Sequence, residues 1–218
     1  MGKLRAAGFS ISLDGYGAGP DQSLDNPLGR RGSEVHQWVF GTRSFQTMIG
    51  QDGGDADSID EGYARRAMEG FGAFILGRNM FGPARGPWGD DAWKGWWGDN
   101  PPYHAPTFIL THHPRDPIVM EGGTIFHFVT QGIEAALEQA RAAAGDLDIK
   151  IAGGVSVVRQ YLAAGLIDEL HLAVAPVLLG RGEALFAGLD LPTLGYALTS
   201  DEVGEAARHV TISREGRP

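Results

Sequence analysis

Residues 149–186 read IKIAGGVSVVRQYLAAGLIDELHLAVAPVLLGRGEALF, and this stretch decides the fold. Ile149 to Ala152 is a short apolar run of the buried-strand type. Gly153 and Gly154 follow without side chains, so a ligand or another backbone can come close there. Val155 to Ala164 has helical spacing, with Val158, Tyr161 and Leu162 on one face. Gly165 stands where a helix end favours a left-handed residue. Asp168 to Ala175 resumes as a strand, and Pro176 limits further ladder bonding. Strand, glycine turn, helix and strand form one unit of an α/β protein, and such a turn can hold a phosphate.

The alternation continues outward. Leu4 to Leu13 reads as a first strand, with Phe9, Ile11 and Leu13 alternating, and it enters a glycine-rich loop from Asp14 to Asp21. Ser33 to Phe40 reads as a short helix. Ser58-Ile59-Asp60-Glu61 matches a capping box, with Ser58 as N-cap, and predicts a helix running to about Glu69. Ala73 to Leu76, Thr107 to Leu110 and Ile125 to Val129 read as strands, and Ile133 to Ala144 as an alanine-rich helix. Leu198 to Ser213 supplies one or two antiparallel strands. Gly50 to Asp57 is acidic and reads as exposed. Gly82 to Pro106 holds Trp88, Trp93, Trp96 and Trp97 and reads as a loop whose rings pack on the protein or stack on a flat ligand. The pattern predicts one α/β domain over residues 1–218, with a largely parallel sheet covered on both faces.

Composition narrows the function classes. A hydrophobic content of 43% and a charged content of 21% are those of an ordinary globular protein. No apolar run approaches the roughly 20 residues of a membrane span. The start, MGKLRAAGFSISLDG, lacks the apolar core of a secretion signal, and cysteine is absent, so a cytoplasmic protein away from the membrane is expected. The net charge is −9, and Arg30-Arg31 and Arg65-Arg66 are the only basic doublets, which argues against a nucleic-acid partner. Glycine, at 33 residues, is about twice its usual frequency and implies many tight turns.

In open α/β sheets, ligands bind beyond the carboxyl ends of the strands. The loops after Leu13, Leu76, Leu110 and Ala152 meet that description. Gly153-Gly154 before a helix offers backbone N–H groups at a positive dipole end, or simply lets strand and helix pack closely. Ser156 could add a hydroxyl. Arg78, after Gly77, can fork onto a phosphate or form a surface ion pair. Thr111 and His112 can bond a second phosphate or be plain loop residues. Asp14 can bind an amino-heterocycle or bond its own turn. The seven histidines show no metal-ligand spacing. No G-x-S-x-G elbow and no G-x-x-x-x-G-K-[ST] loop is present.

These motifs occur in a familiar order: Ile11-Ser12-Leu13-Asp14-Gly15-Tyr16, Leu76-Gly77-Arg78, Ile109-Leu110-Thr111, Ala152-Gly153-Gly154, Gly165-Leu166-Ile167-Asp168-Glu169-Leu170, Pro176-Val177-Leu178-Leu179-Gly180 and Leu185-Phe186. The chain resembles the dihydrofolate-reductase-like superfamily and, within it, the reductase domain of the bifunctional riboflavin-biosynthesis deaminase-reductases and their stand-alone relatives. The resemblance implies a three-layer αβα fold with a mixed, mainly parallel sheet, and NADPH as cofactor, with Gly153, Gly154, Val155 and Ser156 on the pyrophosphate. It places Gly77, Arg78, Asn79, Thr111 and His112 toward the 2′-phosphate side. Ser12, Leu13 and Asp14 would cover nicotinamide and substrate, with Asp14 as the catalytic carboxylate. It also implies a homodimer.

Three departures stand out. The acid that dihydrofolate reductases carry in their first helix has only Glu34 as a counterpart, and zinc-binding cysteines of a deaminase half are absent. The acidic insert and the tryptophan loop are expected to reshape the substrate pocket. The expected activity is reduction of a flat nitrogen heterocycle, a 5-amino-6-(5-phosphoribosylamino)uracil-like pyrimidine or a pterin. The alternatives are a non-catalytic nucleotide-binding or regulatory protein on the same fold, and a flavin- or deazaflavin-linked reductase.

Overall fold

The computed structural model describes residues 2–82, 86–89 and 93–214. In chain order the elements are β1 (Leu4–Ser12), β2 (Tyr16–Ala18), α1 (Gln37–Phe40), α2 (Arg43–Met48), α3 (Ile59–Arg66), β3 (Phe71–Gly77), α4 (Arg78–Phe81), β4 (Pro106–Leu110), β5 (Ile118–Val119), β6 (Ile125–Val129), α5 (Ile133–Ala144), β7 (Asp148–Gly153), α6 (Val155–Ala163), β8 (Glu169–Ala175), β9 (Glu183–Ala184), β10 (Tyr196–Val203) and β11 (Arg208–Arg214). A 3-10 turn over Gly32–His36 leads into α1.

Nine strands form one sheet in the order β10-β11-β8-β1-β7-β3-β4-β6-β5. The run from β8 to β6 is parallel throughout, while β5 at one edge and the β11-β10 hairpin at the other are antiparallel. The small β2-β9 ribbon stands apart. Apolar residues on consecutive positions explain why both faces are covered, since neighbours along a strand point to opposite sides. Ile75, Phe108, Ile151 and Leu172 face α5 and α6. Leu76 and Ile109 face the tryptophan-rich segment, and Ala173 faces Trp38 and Tyr63 of α1 and α3. This is the mixed, mainly parallel three-layer architecture expected from the sequence.

Local details differ from expectation, each for a physical reason. Ser58 does cap α3, accepting from the Glu61 N–H at 3.1 Å. The reciprocal half of the capping box is not made, because the Glu61 carboxylate instead accepts from the Ser44 N–H (2.9 Å) and hydroxyl (2.6 Å). The start of α3 is covered by Glu205, which accepts from Ile59 and Asp60 N–H. α2 was not expected from its sequence; Thr42 caps it by accepting from Phe45 N–H.

Beneath α3 lies a buried polar relay. The Gly8 N–H donates to His171 Nδ1 at 3.0 Å, so in the neutral ring the proton sits on Nε2. His171 Nε2 then donates to His209 Nδ1 (3.0 Å), and His209 Nε2 to Asp60 Oδ1 (2.7 Å). Tyr63 stacks on both rings. Burial pushes His171 down to about 3, with His209 adding to the shift, and burial likewise lowers His209 against the pull of Asp60.

The sign of the resulting pH dependence follows. Below about pH 6.5 the unfolded chain takes up protons that these folded rings refuse, so stability falls on acidification, by up to about 1.4 kcal/mol per pH unit for each group. The melting temperature is expected to drop steadily from pH 6.5 to pH 4.5 in calorimetry. A level profile over that range would contradict the relay as drawn.

Candidate active site

The carboxyl ends of β3, β4, β6 and β7 and the loop after β1 surround one cavity of about 730 Å³, a size suited to a cofactor-length ligand. All the residues expected on the cofactor side line it: Gly77, Arg78, Asn79, Thr111, His112, Gly153, Gly154, Val155 and Ser156. Gly77 and Gly153 have structural reasons to be glycine. A Cβ on Gly77 would meet Val157 Cγ2 at 2.8 Å, and Gly153 has φ +136° with Met80 Sδ 3.0 Å from a Cβ. At Gly154 neither φ nor packing against neighbours calls for a glycine. Its φ is −83°, and a Cβ there would meet nothing within 4 Å. It is the N-cap of α6 and makes no side-chain cap, so the first N–H groups of that helix open on the cavity.

A second helix does the same, and sequence reading missed it. Gly132 caps α5 without a side chain, and Thr130, Gly132 and Ile133 line the cavity. The signal was present in Val129-Thr130-Gln131-Gly132-Ile133, a strand end, polar residues and a glycine before a helix. Two positive helix ends therefore converge on one cavity, which favours a di-anionic group between them.

The Arg78 guanidinium lies over the Trp88 ring at 3.1 Å and donates to Thr111 Oγ1 at 3.5 Å. Trp88 in turn donates to the His113 carbonyl at 2.9 Å, and the His113 N–H donates to Thr111 Oγ1 at 3.1 Å. Arg78, Trp88, Thr111 and His113 are thus knitted into one wall. Trp96 and Trp97 line the cavity, whereas Trp93 donates to the Phe81 carbonyl and packs with Phe81 and Trp88 in the core. Residues 83–85 and 90–92 of this loop lie outside the described residues.

The first-strand motif does not line the cavity. Ser12 is fully buried, Leu13 is 66% exposed, and Asp14 is turned toward the loop after β8. Asp14 accepts from the Ser12 hydroxyl (2.6 Å) and from the N–H groups of Leu179 (3.0 Å) and Gly180 (2.7 Å). The Ser12 hydroxyl holds its carboxyl below the usual range against the cost of desolvation, and the two N–H groups add to this. The expected substrate-side role is therefore corrected: Asp14 clasps the 179–180 loop to the end of β1. The part of the first loop that does face the cavity is Gly17, Ala18, Gln22, Pro27 and Leu28. The acidic insert is exposed, bridged to Thr42 and Arg43, and none of it lines the cavity, so it does not reshape the pocket.

Asp14→Ala is expected to speed amide exchange at Leu179 and Gly180 by about tenfold or more. It should leave NADPH affinity within about a factor of two of the unmodified protein. A large loss of affinity would return Asp14 to the binding site.

With this geometry in place, the comparisons decide the family. The model of the RibD C-terminal domain matches residues 6–210. The chain belongs to the RibD C-terminal domain family. The riboflavin biosynthesis protein RibD of Bacillus amyloliquefaciens is 27% identical over 127 residues, 52% of this chain and 34% of that protein, so the match spans about a third of the relative's length. The crystal structure of a putative riboflavin biosynthesis protein from Shewanella sp. PV-4 has TM-score 0.58 at 22% identity, over 99% of this chain and 100% of that one, and shares its fold. A dihydrofolate reductase from Enterococcus faecalis, complexed with NADP(H) and RAB-propyl, has TM-score 0.44 at 19% identity over 66% and 74% of the two chains. Among the described residues, no helix is long and apolar enough to cross a membrane.

Proposed function

We propose that this chain is an NADPH-dependent reductase of a flat nitrogen heterocycle, of the pyrimidine or pterin type. The observation that carries the proposal is Gly154: a cavity-facing glycine with negative φ and open space where a Cβ would stand. A glycine so placed leaves room for a ligand against the N-terminus of α6, and the bare N-terminus of α5 faces the same space. The donor set fits a pyrophosphate, with Gly153, Gly154, Val155 and Ser156 on one side and Gly132 and Ile133 on the other. Arg78, Thr111 and His112 form the polar wall suited to a further phosphate.

NADPH, when bound, supplies the hydride. The chain's own residues do the positioning. Gly17, Ala18, Leu28, Trp96 and Trp97 wall off the rest of the cavity with mainly apolar surface, which favours a flat ring and keeps water out. Membership of a family of riboflavin-biosynthesis reductase domains supports the heterocycle class. The test is loss of NADPH absorbance across a panel of aminopyrimidines, pterins and flavins. Consumption with at least one of them is expected. NADPH binding without consumption across the panel would favour a regulatory protein on the same fold.

A further inference from the structure

The Gly32–Phe40 segment carries a side chain that the cavity uses and that no motif marked. Glu34, the one acid of this segment, does not reach the cavity. Its carboxylate is taken by Arg31 in a forked pair at 2.8 and 2.9 Å on the outer surface. His36, two residues on, does line the cavity. Its position is fixed from both sides. Val35 is fully buried beside it, and Trp38 donates to Ser10 Oγ at 2.8 Å, pinning the start of α1 to β1. At the junction of the 3-10 turn and α1, as last residue of the one and N-cap of the other, His36 adopts φ −102°, ψ 2°, a bridge conformation.

The ring is positioned but not consumed by the fold. Among the described residues nothing hydrogen-bonds it. Part of its surface faces the cavity, and desolvation pushes it down to about 4. At neutral pH it is therefore an uncharged imidazole, with one N–H to give and one lone pair to receive. Ala18, Pro27 and Leu28 also line the cavity.

We propose that His36 is the substrate-recognising residue of this cavity, its ring lone pair accepting from an N–H on the edge of an uncharged planar heterocycle. A neutral imidazole suits this task because its two nitrogens point apart, so one of them meets the ring edge, and its lone pair accepts from a ring N–H without bringing a charge into the cavity. Recognition by an unpaired polar group in an apolar wall is also discriminating, since a partner lacking the matching atoms leaves that group unsatisfied. The inference rests on the reductase reading above for the class of ring.

The probes are 5,6-diaminouracil and 5,6-diamino-1,3-dimethyluracil, which share a ring and differ in whether the ring N–H groups are blocked. Binding is followed by quenching of tryptophan fluorescence, with Trp96 and Trp97 as cavity reporters, in the NADP-loaded protein and in His36→Phe and His36→Asn. The unmodified protein should prefer the unblocked ring by about tenfold, a difference of about 1.4 kcal/mol. His36→Phe should bind the two rings equally, His36→Asn should keep part of the preference, and NADPH affinity should be the same in all three. An unchanged preference in His36→Phe would overturn the assignment of His36 alone. If NADPH binds the unmodified protein but neither uracil does, both the assignment and the heterocycle reading fall. A loss of NADPH affinity in His36→Phe would place the ring on the cofactor instead and also overturn the assignment.

Discussion

Gly154→Leu is expected to weaken NADPH binding by about a hundredfold or more, equivalent to about 2.7 kcal/mol, while the free protein stays folded. The two glycines of the turn differ in what the fold asks of them. At Gly154 the backbone is extended with negative φ, and an added Cβ enters open cavity. The fold therefore loses only the modest preference for glycine over leucine at a helix N-cap, a fall in melting temperature of about 3 °C at most. The cavity loses the space where a ligand would approach the first N–H groups of α6. Gly153→Leu is the control with the opposite signature. Its φ of +136° and the Met80 sulfur 3.0 Å from a Cβ make the folded state itself pay, so its melting temperature should drop clearly. If Gly154→Leu binds NADPH as well as the unmodified protein, the turn is only a packing device and the cofactor assignment fails.

The second large effect concerns stability. Asp60→Ala should destabilise the protein by about 3 kcal/mol, a fall in melting temperature of roughly 6–12 °C. Asp60 is 4% exposed, and its two oxygens accept from His209 Nε2 at 2.7 Å and from the Ala206 N–H at 2.8 Å. Truncation leaves both donors buried without acceptors, and it frees His209 and His171 to lose the tautomers that let His171 hold the Gly8 N–H. Gly8 lines the cavity at a bulge in β1, where φ is +71° and a Cβ would strike Ala67. Loosening the relay should therefore also weaken NADPH binding by a smaller factor. A melting temperature unchanged within a degree would show that the relay contributes little.

The parts of the molecule that sequence made readable are those governed by local rules. Apolar runs at Ile149 to Ala152, Thr107 to Leu110 and Ile125 to Val129, each bounded by glycine or polar residues, became strands β7, β4 and β6 of the central sheet. Gly165 adopts the left-handed φ of +61° that its position after a helix suggested. The loops at Gly77, Thr111 and Gly153 converge because parallel strands carry their carboxyl ends to one edge. What stayed hidden depends on partners distant in sequence. Asp14 sits at the right strand end, but its orientation is decided by the amides of Leu179 and Gly180, 165 and 166 residues away. Glu61 follows the capping-box spacing, yet Ser44 claims its carboxylate. His36 shows no motif at all. Only the kink between a 3-10 turn and a short helix, anchored by Trp38 on Ser10, turns it to the cavity.

The central claim is that the cavity between the N-termini of α5 and α6 holds NADPH. Its most direct measurement is a titration of the unmodified protein with NADPH, followed by fluorescence and by melting temperature. The account predicts saturable binding and a melting temperature that rises with NADPH concentration, by the equivalent of about 2.7 kcal/mol at a hundredfold excess over the dissociation constant. A titration with no saturation and no change in melting temperature would contradict it.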